Sequence, residues 1–364
     1  MASTGYLDMN NFAINNHGIT DLRKLLFLTV IDPEGEDNSL KDVLEINTGI
    51  EDGERVGGVG EFAPVGLPSS GCNPDWKGTK LATAEKQWKL GEYEIAEEIC
   101  FADLEKTIVQ YAMRRGTDIA DLTGTDYIDA IVEPRMVLAM NKMLWRLAWF
   151  GDITADDVTG GGFITDGINL NLFHVCDGLF KRIFDIVSAN PLQGISIAAN
   201  SAATKIDQIA GIRASGVATS LMDKLIYDSN PKLLQHSDRV LLVTKSIADA
   251  LAMDIKANNK GSDLQWQSLF NGFASATVYN QQQIISLPIW DEMIRMFEDD
   301  GTVWNLPHRA IYAPKSSLKL GINSNDMLSY LDIFFDKKSQ TNNIIARDKV
   351  GTMTWEDDLI MAAY

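Results

Sequence analysis

GIEDGERVGGVGEFAPVGLPSSGCNPDWKG, running from Gly49 to Gly78, holds eight of the chain's 28 glycines and three of its 10 prolines. An alternating strand, Trp88 to Ile99, follows it with no helix beside it. Compact domains rarely contain a structureless connection longer than roughly 12 to 15 residues unless it is functional, and a lone two-stranded hairpin is at best marginally stable in water. The stretch therefore reads as a long ribbon that cannot bury itself, and the support expected for it is another copy of the same chain. Within the return limb, Trp88 and Leu90 share one parity while Tyr93, Ile95 and Ile99 share the other. A switch of parity across Gly91 is the signature of a bulge or bend.

Outward from the ribbon, 364 residues exceed what one hydrophobic core usually organises, so two packed regions are expected. Hydrophobic residues make up 45%, and no apolar run approaches the roughly 18 residues needed to span a bilayer, so the expectation is a soluble protein with no membrane partner. The start, Met1 to Gly5, has neither a basic leader nor an apolar core, which points to synthesis in a cytoplasm without secretory export. Cys72, Cys100 and Cys176 are widely spaced and form no C-x-x-C pair, and His17, His174, His236 and His308 lie far apart. Neither a disulfide framework nor a metal centre is expected from such spacing, and hydrogen-bonded or surface imidazoles are. The formal net charge of −18 opposes wrapping a polyanion, because nucleic-acid affinity comes mainly from Lys and Arg at phosphates. It is compatible with a weakly repelling wall next to packaged DNA.

Residues 1–42 begin with a polar, Asn-rich arm, and Asp21 precedes an apolar run, Leu22 to Ile31, that Pro33 and Gly35 end. After the ribbon the period changes from two to about 3.6: Phe101, Leu104, Ile108, Tyr111 and Ala112 share a helical face, closed by Arg114, Arg115 and Gly116. A long helix is predicted over Asp126 to Phe150, with Pro134 as a kink or break and Gly151 as its stop. At about 1.5 Å per residue it makes a strut of about 35 Å. Beyond a turn at Gly160 to Gly162 the pattern becomes α/β, with helices expected over Asn171 to Ser188, Ala202 to Tyr227 and Ile247 to Ala257. Ser246 and Asp249 read as a variant capping box for the last of these. Asp238 to Thr244 reads as a strand buried on both faces, and a short strand is expected at Gly194 to Ala198. Further strands are expected at Ala276 to Tyr279, Gln283 to Leu287, Arg309 to Ala313, Leu318 to Gly321, Leu331 to Phe335 and Ile344 to Ala346, with a short helix near Asp291 to Phe297 and a final edge at Leu359 to Ala363.

Catalytic signals do not assemble. Gly58 to Ala63 matches a dinucleotide fingerprint by letters, but Pro64 removes the helix that would hold a pyrophosphate. The acidic clusters Asp299-Asp300-Gly301 and Glu356-Asp357-Asp358 lack the alternating oxygen ligands of a calcium loop and read as solvated turns. Glu97 and Glu98, adjacent on a strand, point to opposite faces and cannot address one atom together. No enzyme and no cofactor are expected.

The order of elements resembles the major capsid protein of tailed bacteriophages, whose fold is shared with encapsulins and the herpesvirus capsid floor. The segments that carry the resemblance are the ribbon, the helix ending in Trp149-Phe150-Gly151-Asp152, the strand and helix from Asp238 to Leu251, and the strand and turn from His308 to Gly321. The resemblance implies an α+β phage-capsid fold: an N-terminal arm (1–42), an extended β-hairpin loop (43–99), a peripheral domain with a spine helix (100–165 and 322–364) and an axial α/β domain (166–321). It further implies a structural subunit that self-assembles into hexamers and pentamers of an icosahedral shell, a virion protein enclosing double-stranded DNA without sequence-specific binding. With only about 45 residues before the loop, it implies a separate scaffolding protein or none, besides a portal and, as an option, decoration proteins. Phe62, Trp76, Trp88, Leu90 and Tyr93 are the expected intersubunit contacts. Lys77 or Lys80 joined to Asn342 or Asn343 would be the counterpart of the isopeptide bond of some relatives, although no motif supports it. The alternatives are an encapsulin-like compartment with protein cargo and an α/β enzyme or binding module built on Asn169 to Gly321.

Overall fold

A computed structural model describes residues 39–59, 83–100, 133–257, 267–269, 274–280, 282–324, 330–336, 338 and 341–364. The predicted helix over 101–116, most of the N-terminal arm, Phe62, Trp76, Lys77 and Lys80 lie outside them. In chain order the elements are α1 (Ser39–Val43), β1 (Glu45–Thr48), β2 (Arg55–Val59), β3 (Thr83–Gln87), β4 (Gly91–Cys100), α2 (Glu133–Phe150), α3 (Leu179–Ala189), β5 (Gly194–Ile195), α4 (Lys205–Ile212), α5 (Val217–Tyr227), β6 (Arg239–Thr244), α6 (Lys245–Ala257), β7 (Gln267–Leu269), β8 (Ala274–Tyr279), β9 (Gln282–Leu287), α7 (Pro288–Phe297), β10 (Ala310–Pro314), β11 (Leu318–Ile322), β12 (Tyr330–Asp336), β13 (Thr341–Thr354) and β14 (Met361–Ala363).

Strand periodicity builds the larger sheet, of order β5-β14-β10-β6-β9-β8-β7. Leu242, Ile285, Ile311 and Ala362 point into one core with α2, α3 and α7, while Leu241, Val243, Ile284, Tyr312 and Met361 point into a second core with α5 and α6. Successive side chains of a strand face opposite ways, so a run such as Val240 to Val243 is apolar throughout only when both faces are covered. The second sheet is organised by β13, which pairs along one edge with β4 and along the other with β12 and then β11; β1 adds parallel to β11. Its buried side, with Leu318, Leu320, Ile344, Ala346 and Val350, shares the first core with Leu144, Trp145 and Trp149 of α2. The fold is therefore mixed α+β, with two sheets joined through one core.

Several expectations change against this architecture. The strand following the ribbon is no unsupported limb, because β4 pairs with β13 over ten residues, Gly91↔Val350 to Cys100↔Thr341. A Cβ on Gly91 would sit 1.6 Å from the Val175 carbonyl oxygen, so only glycine lets the chain pass there. The helix expected over 171–188 starts at Leu179, because Gly178 lies against the backbone of Trp149 and Gly151 and donates to the Gly151 carbonyl at 2.7 Å. The helix expected over 202–227 is two, α4 and α5, broken where Gly216 takes φ +80°. Of the long helix predicted over 126–150, Glu133–Phe150 is described and helical, and residues 126–132 lie outside the described residues. The last strand, β14, is not an edge: it lies between β5 and β10, in the larger sheet and not with β11 to β13.

Helix starts are capped from a distance. Asp254 of α6 accepts from Gly216 N–H at 2.9 Å and Thr219 N–H at 3.3 Å at the start of α5. Asp291 of α7 accepts from Lys245 N–H at 2.6 Å and Ser246 N–H at 3.2 Å at the start of α6. The expected Ser246/Asp249 capping box is thereby corrected, since Asp249 pairs with Lys245 at 2.5 Å and Ser246 accepts or donates at His308 Nδ1, 2.7 Å away. Burial pushes the Asp291 carboxyl up to about 6, against the pull of its two backbone donors and of Arg295 and Lys245. The folded chain thus holds that proton more tightly than the unfolded chain. Ionised Asp291 costs stability above pH 6, and the cost disappears as pH falls through 6 toward the unfolded value. The melting temperature of the parent relative to an Asp291→Asn variant should rise as pH is lowered from about 7.5 to about 5, measured by circular dichroism. A difference that stays constant across that window refutes the assignment.

Candidate intersubunit surface

β2 and β3 form a two-stranded sheet of their own, in register from Arg55↔Gln87 to Val59↔Thr83. Residues 60–82, between these two strands, lie outside the described residues. The alternation of a strand sorts its base into two faces. Val56, Gly58 and Lys86 are half-buried; Arg55, Gly57, Glu85 and Gln87 are exposed.

The half-buried face rests on this chain. Gly58 lies so close to the Trp355 indole that a Cβ would come within 2.4 Å of Cζ2. Lys86 Nζ donates to the Thr354 carbonyl at 2.8 Å and to Asp357 Oδ1 at 2.6 Å. Just below, Trp88 packs with Ile50 and Met353, and the Gly321 backbone leaves room for its ring. Trp88 N–H donates to the Glu54 carbonyl at 2.9 Å, Gly53 N–H to the Trp88 carbonyl at 3.0 Å, and Leu90 N–H to Asp52 Oδ1 at 2.9 Å. These ties close the hairpin base.

Of the five expected contact residues, two are corrected. Trp88 is 2% and Tyr93 4% exposed within this chain alone. Trp88 is covered by Ile50, Met353 and the Gly321 backbone, and Tyr93 by the first core, against which Ile95 also packs. Leu90 is half-buried on the Ile50, Trp88 and Met353 cluster. What stays open is the face of Arg55, Gly57, Glu85 and Gln87, where Arg55 pairs with Glu85 at 2.9 Å. An exposed pair of this kind contributes little to stability on its own.

The residues tested for chemistry are placed as follows. Glu97 and Glu98 are both exposed on β4. Asp299 binds Lys205 and Asp300 accepts from Thr302 and Val303 N–H, forming a turn around Gly301, φ +92°. Asp357 holds the ribbon lysine. His174 Nε2 meets the Ala155 carbonyl at 2.8 Å. His308 is buried with Nε2 donating to the Gln208 carbonyl at 3.0 Å, so its Nδ1 is the acceptor for the Ser246 hydroxyl. Burial and the nearby Arg213 and Arg295 lower its pKa to about 4, which keeps the ring neutral at pH 7. Cys176 is buried, and desolvation pushes its thiol up to about 12, far from a nucleophilic thiolate. Among the described residues no group of three His, Cys, Asp or Glu side chains is placed to hold a metal ion, and no helix is long and apolar enough to cross a membrane.

No family model matches this sequence, and no curated protein matches it. Among solved structures, the chain is similar to one titled "Satellite phage P4 procapsid including size determination (Sid) protein", at 10% identity and a TM-score of 0.48, covering 96% of this chain and 98% of that one. A structure from Gordonia phage Cozz is similar at 10% identity and a TM-score of 0.49, covering 91% of this chain and 87% of that one. A third, titled "Capsid of native GTA particle computed with C5 symmetry", is similar at 9% identity and a TM-score of 0.44, covering 92% and 95%.

Proposed function

We propose that this chain is the structural subunit of an icosahedral shell of the tailed-phage type, assembling with its own copies into hexamers and pentamers around double-stranded DNA. The observation that carries this reading is the β2–β3 ribbon. Among the described residues it belongs to neither larger sheet, its base is anchored on its own chain, and its face of Arg55, Gly57, Glu85 and Gln87 is exposed. An extended pair with one face unpartnered is a poor monomer feature and a natural lap joint between identical subunits. The residues between its strands, 60–82, include the apolar Phe62, Leu67 and Trp76, and these are the contacts proposed to lie on a neighbouring copy.

On this reading the sheet organised by β13, together with α2, is the peripheral part and the seven-stranded sheet the axial part, with β14 tying the C-terminal strand to the latter. The charge of −18 suits a wall that confines DNA without gripping it. A separate scaffolding protein, a portal and decoration proteins complete the assembly, the chain is made in the host cytoplasm and resides in the virion, and its role is structural, not enzymatic. The test is negative-stain microscopy with light scattering on the purified full-length protein, concentrated at near-physiological salt with and without co-expressed candidate scaffolding protein. Closed shells of uniform diameter are the expected result; a stable monomer or dimer under all these conditions overturns the proposal, and shells that purify with a protein cargo and no DNA favour the compartment alternative.

A further inference from the structure

Away from the ribbon, α4, α6 and α7 enclose a half-open groove of about 570 Å3, with His308 and Ser246 among the residues lining it. That volume lies within the range of roughly 300 to 1,000 Å3 typical of ligand clefts. Most charges in it are already spent: Lys245 pairs with Asp249 and Glu292 with Lys142, each at 2.5 Å, and Asp291 gives both oxygens to the start of α6. Arg213 and Arg295 are left without an ion-pair partner among the described residues; both are exposed, and Arg295 stacks over Trp304 at 5.2 Å. A planar guanidinium with free donors is built to take a carboxylate or phosphate in a fork.

The rim is apolar and exposed. Ile206 is 78%, Met296 58% and Met253 51% exposed. Helical spacing sets Ile206 beside the groove-lining Ile209 on α4, and Met253 beside the groove-lining Asp249 on α6. A free anion would need only the guanidiniums; apolar side chains extending from the cleft along three helices match a ligand with its own apolar stripe. Flexible methionines and arginines are the residue types that such surfaces favour.

We propose that this groove is the docking site for an acidic, apolar-faced helical segment of a partner protein, its carboxylates on Arg213 and Arg295 and its apolar stripe on Ile206, Met253 and Met296. The ligand follows from charge complementarity and the apolar rim, and helix-in-groove recognition uses anchors at this spacing. The inference is independent of the ribbon and stands or falls whether or not the chain forms shells.

The test is fluorescence anisotropy on the full-length unassembled chain with two labelled helical peptides, one built from Leu and Glu and one from Leu and Lys. The Leu/Glu probe should bind saturably and more weakly as salt is raised, the Leu/Lys probe should not, and combining Arg213→Ala with Arg295→Ala should weaken binding about tenfold or more. Met296→Ser should weaken it as well. All three side chains are exposed, so these variants should keep the parent's melting curve, which circular dichroism checks. Equal binding of both probes, no binding of the Leu/Glu probe, or no effect of the double variant overturns the proposal. Inorganic phosphate binding as tightly as the peptide, with Met296→Ser without effect, also overturns it and marks a small-anion site.

Discussion

Arg309→Met should destabilise the chain by about 3 to 5 kcal/mol and leave little folded protein at 37 °C, because it strands a buried carboxylate. The Arg309 guanidinium donates to Glu298, and both side chains are 3% exposed. Its remaining donors meet the carbonyls of Asn305, at 3.0 Å, and Leu306, at 2.9 Å. Its flat face lies 4.6 Å from the centroid of Phe180 and 5.4 Å from that of Phe150. One side chain therefore joins the end of α2, the start of α3, the chain after α7 and the entry to β10. Leu306 holds φ +43°, a conformation costly for a branched side chain, and offers its carbonyl to this arginine.

Burial pushes the Glu298 carboxyl up, against the pull of Arg309 and, after it, of the Asn305 side chain. Without Arg309 the carboxyl titrates higher still, so the variant, relative to the parent, should recover stability as pH falls. Adding Glu298→Met to Arg309→Met should restore part of the loss, since two apolar side chains leave no unpaired charge. Urea unfolding of parent, single and double variants at two pH values measures all of this. A single variant that unfolds within about 1 kcal/mol of the parent, with no pH dependence of the difference, shows the pair to be dispensable.

The parts of this molecule readable in its sequence are those whose cause is local. Val240 to Val243 announces a doubly covered strand because each residue in the run is apolar. Gly91 announces an irregular point because the parity of apolar positions changes across it, and there the backbone passes close against Val175. The glycines from 49 to 58 announce a segment apart from the core, and β2 there stands outside both larger sheets. What stayed hidden depends on partners far along the chain. β4 looked like an unsupported limb because its partner, β13, begins at Thr341. Trp88 and Tyr93 looked like contact residues for the same reason. Asp254 and Asp291 could not be recognised as helix caps, since a carboxylate that caps a helix from another element leaves no spacing signal. The Arg309–Glu298 pair, eleven positions apart with an exposed turn between them, looks in the sequence like two ordinary surface charges. The groove between α4, α6 and α7 was equally illegible, because nothing in the spacing of Ile206, Met253 and Met296 tells that they are exposed.

Replacing residues 60–82 by Asn-Gly should leave a folded, soluble subunit that no longer closes into shells. Val59 and Thr83 are cross-strand partners, so a two-residue type I′ turn can join them without shifting the register. The base of the ribbon keeps every tie it has in this chain: Lys86 to Thr354 and Asp357, Gly58 on Trp355, and Trp88 over Gly321. The melting temperature should consequently change little. Assembly should change greatly, because each side chain such as Phe62 or Trp76 contributes roughly 1.5 to 3 kcal/mol when it leaves water. Losing two per subunit, ~3 to 6 kcal/mol, weakens each contact by a factor of about 100 or more, and a closed shell repeats that loss at every copy. Sedimentation velocity and negative-stain microscopy of the shortened chain should find monomers or small oligomers where the parent gives closed particles. The same stability with particles of parental size and yield would mean that the ribbon is not the joint, and the shell proposal would lose the feature on which it stands.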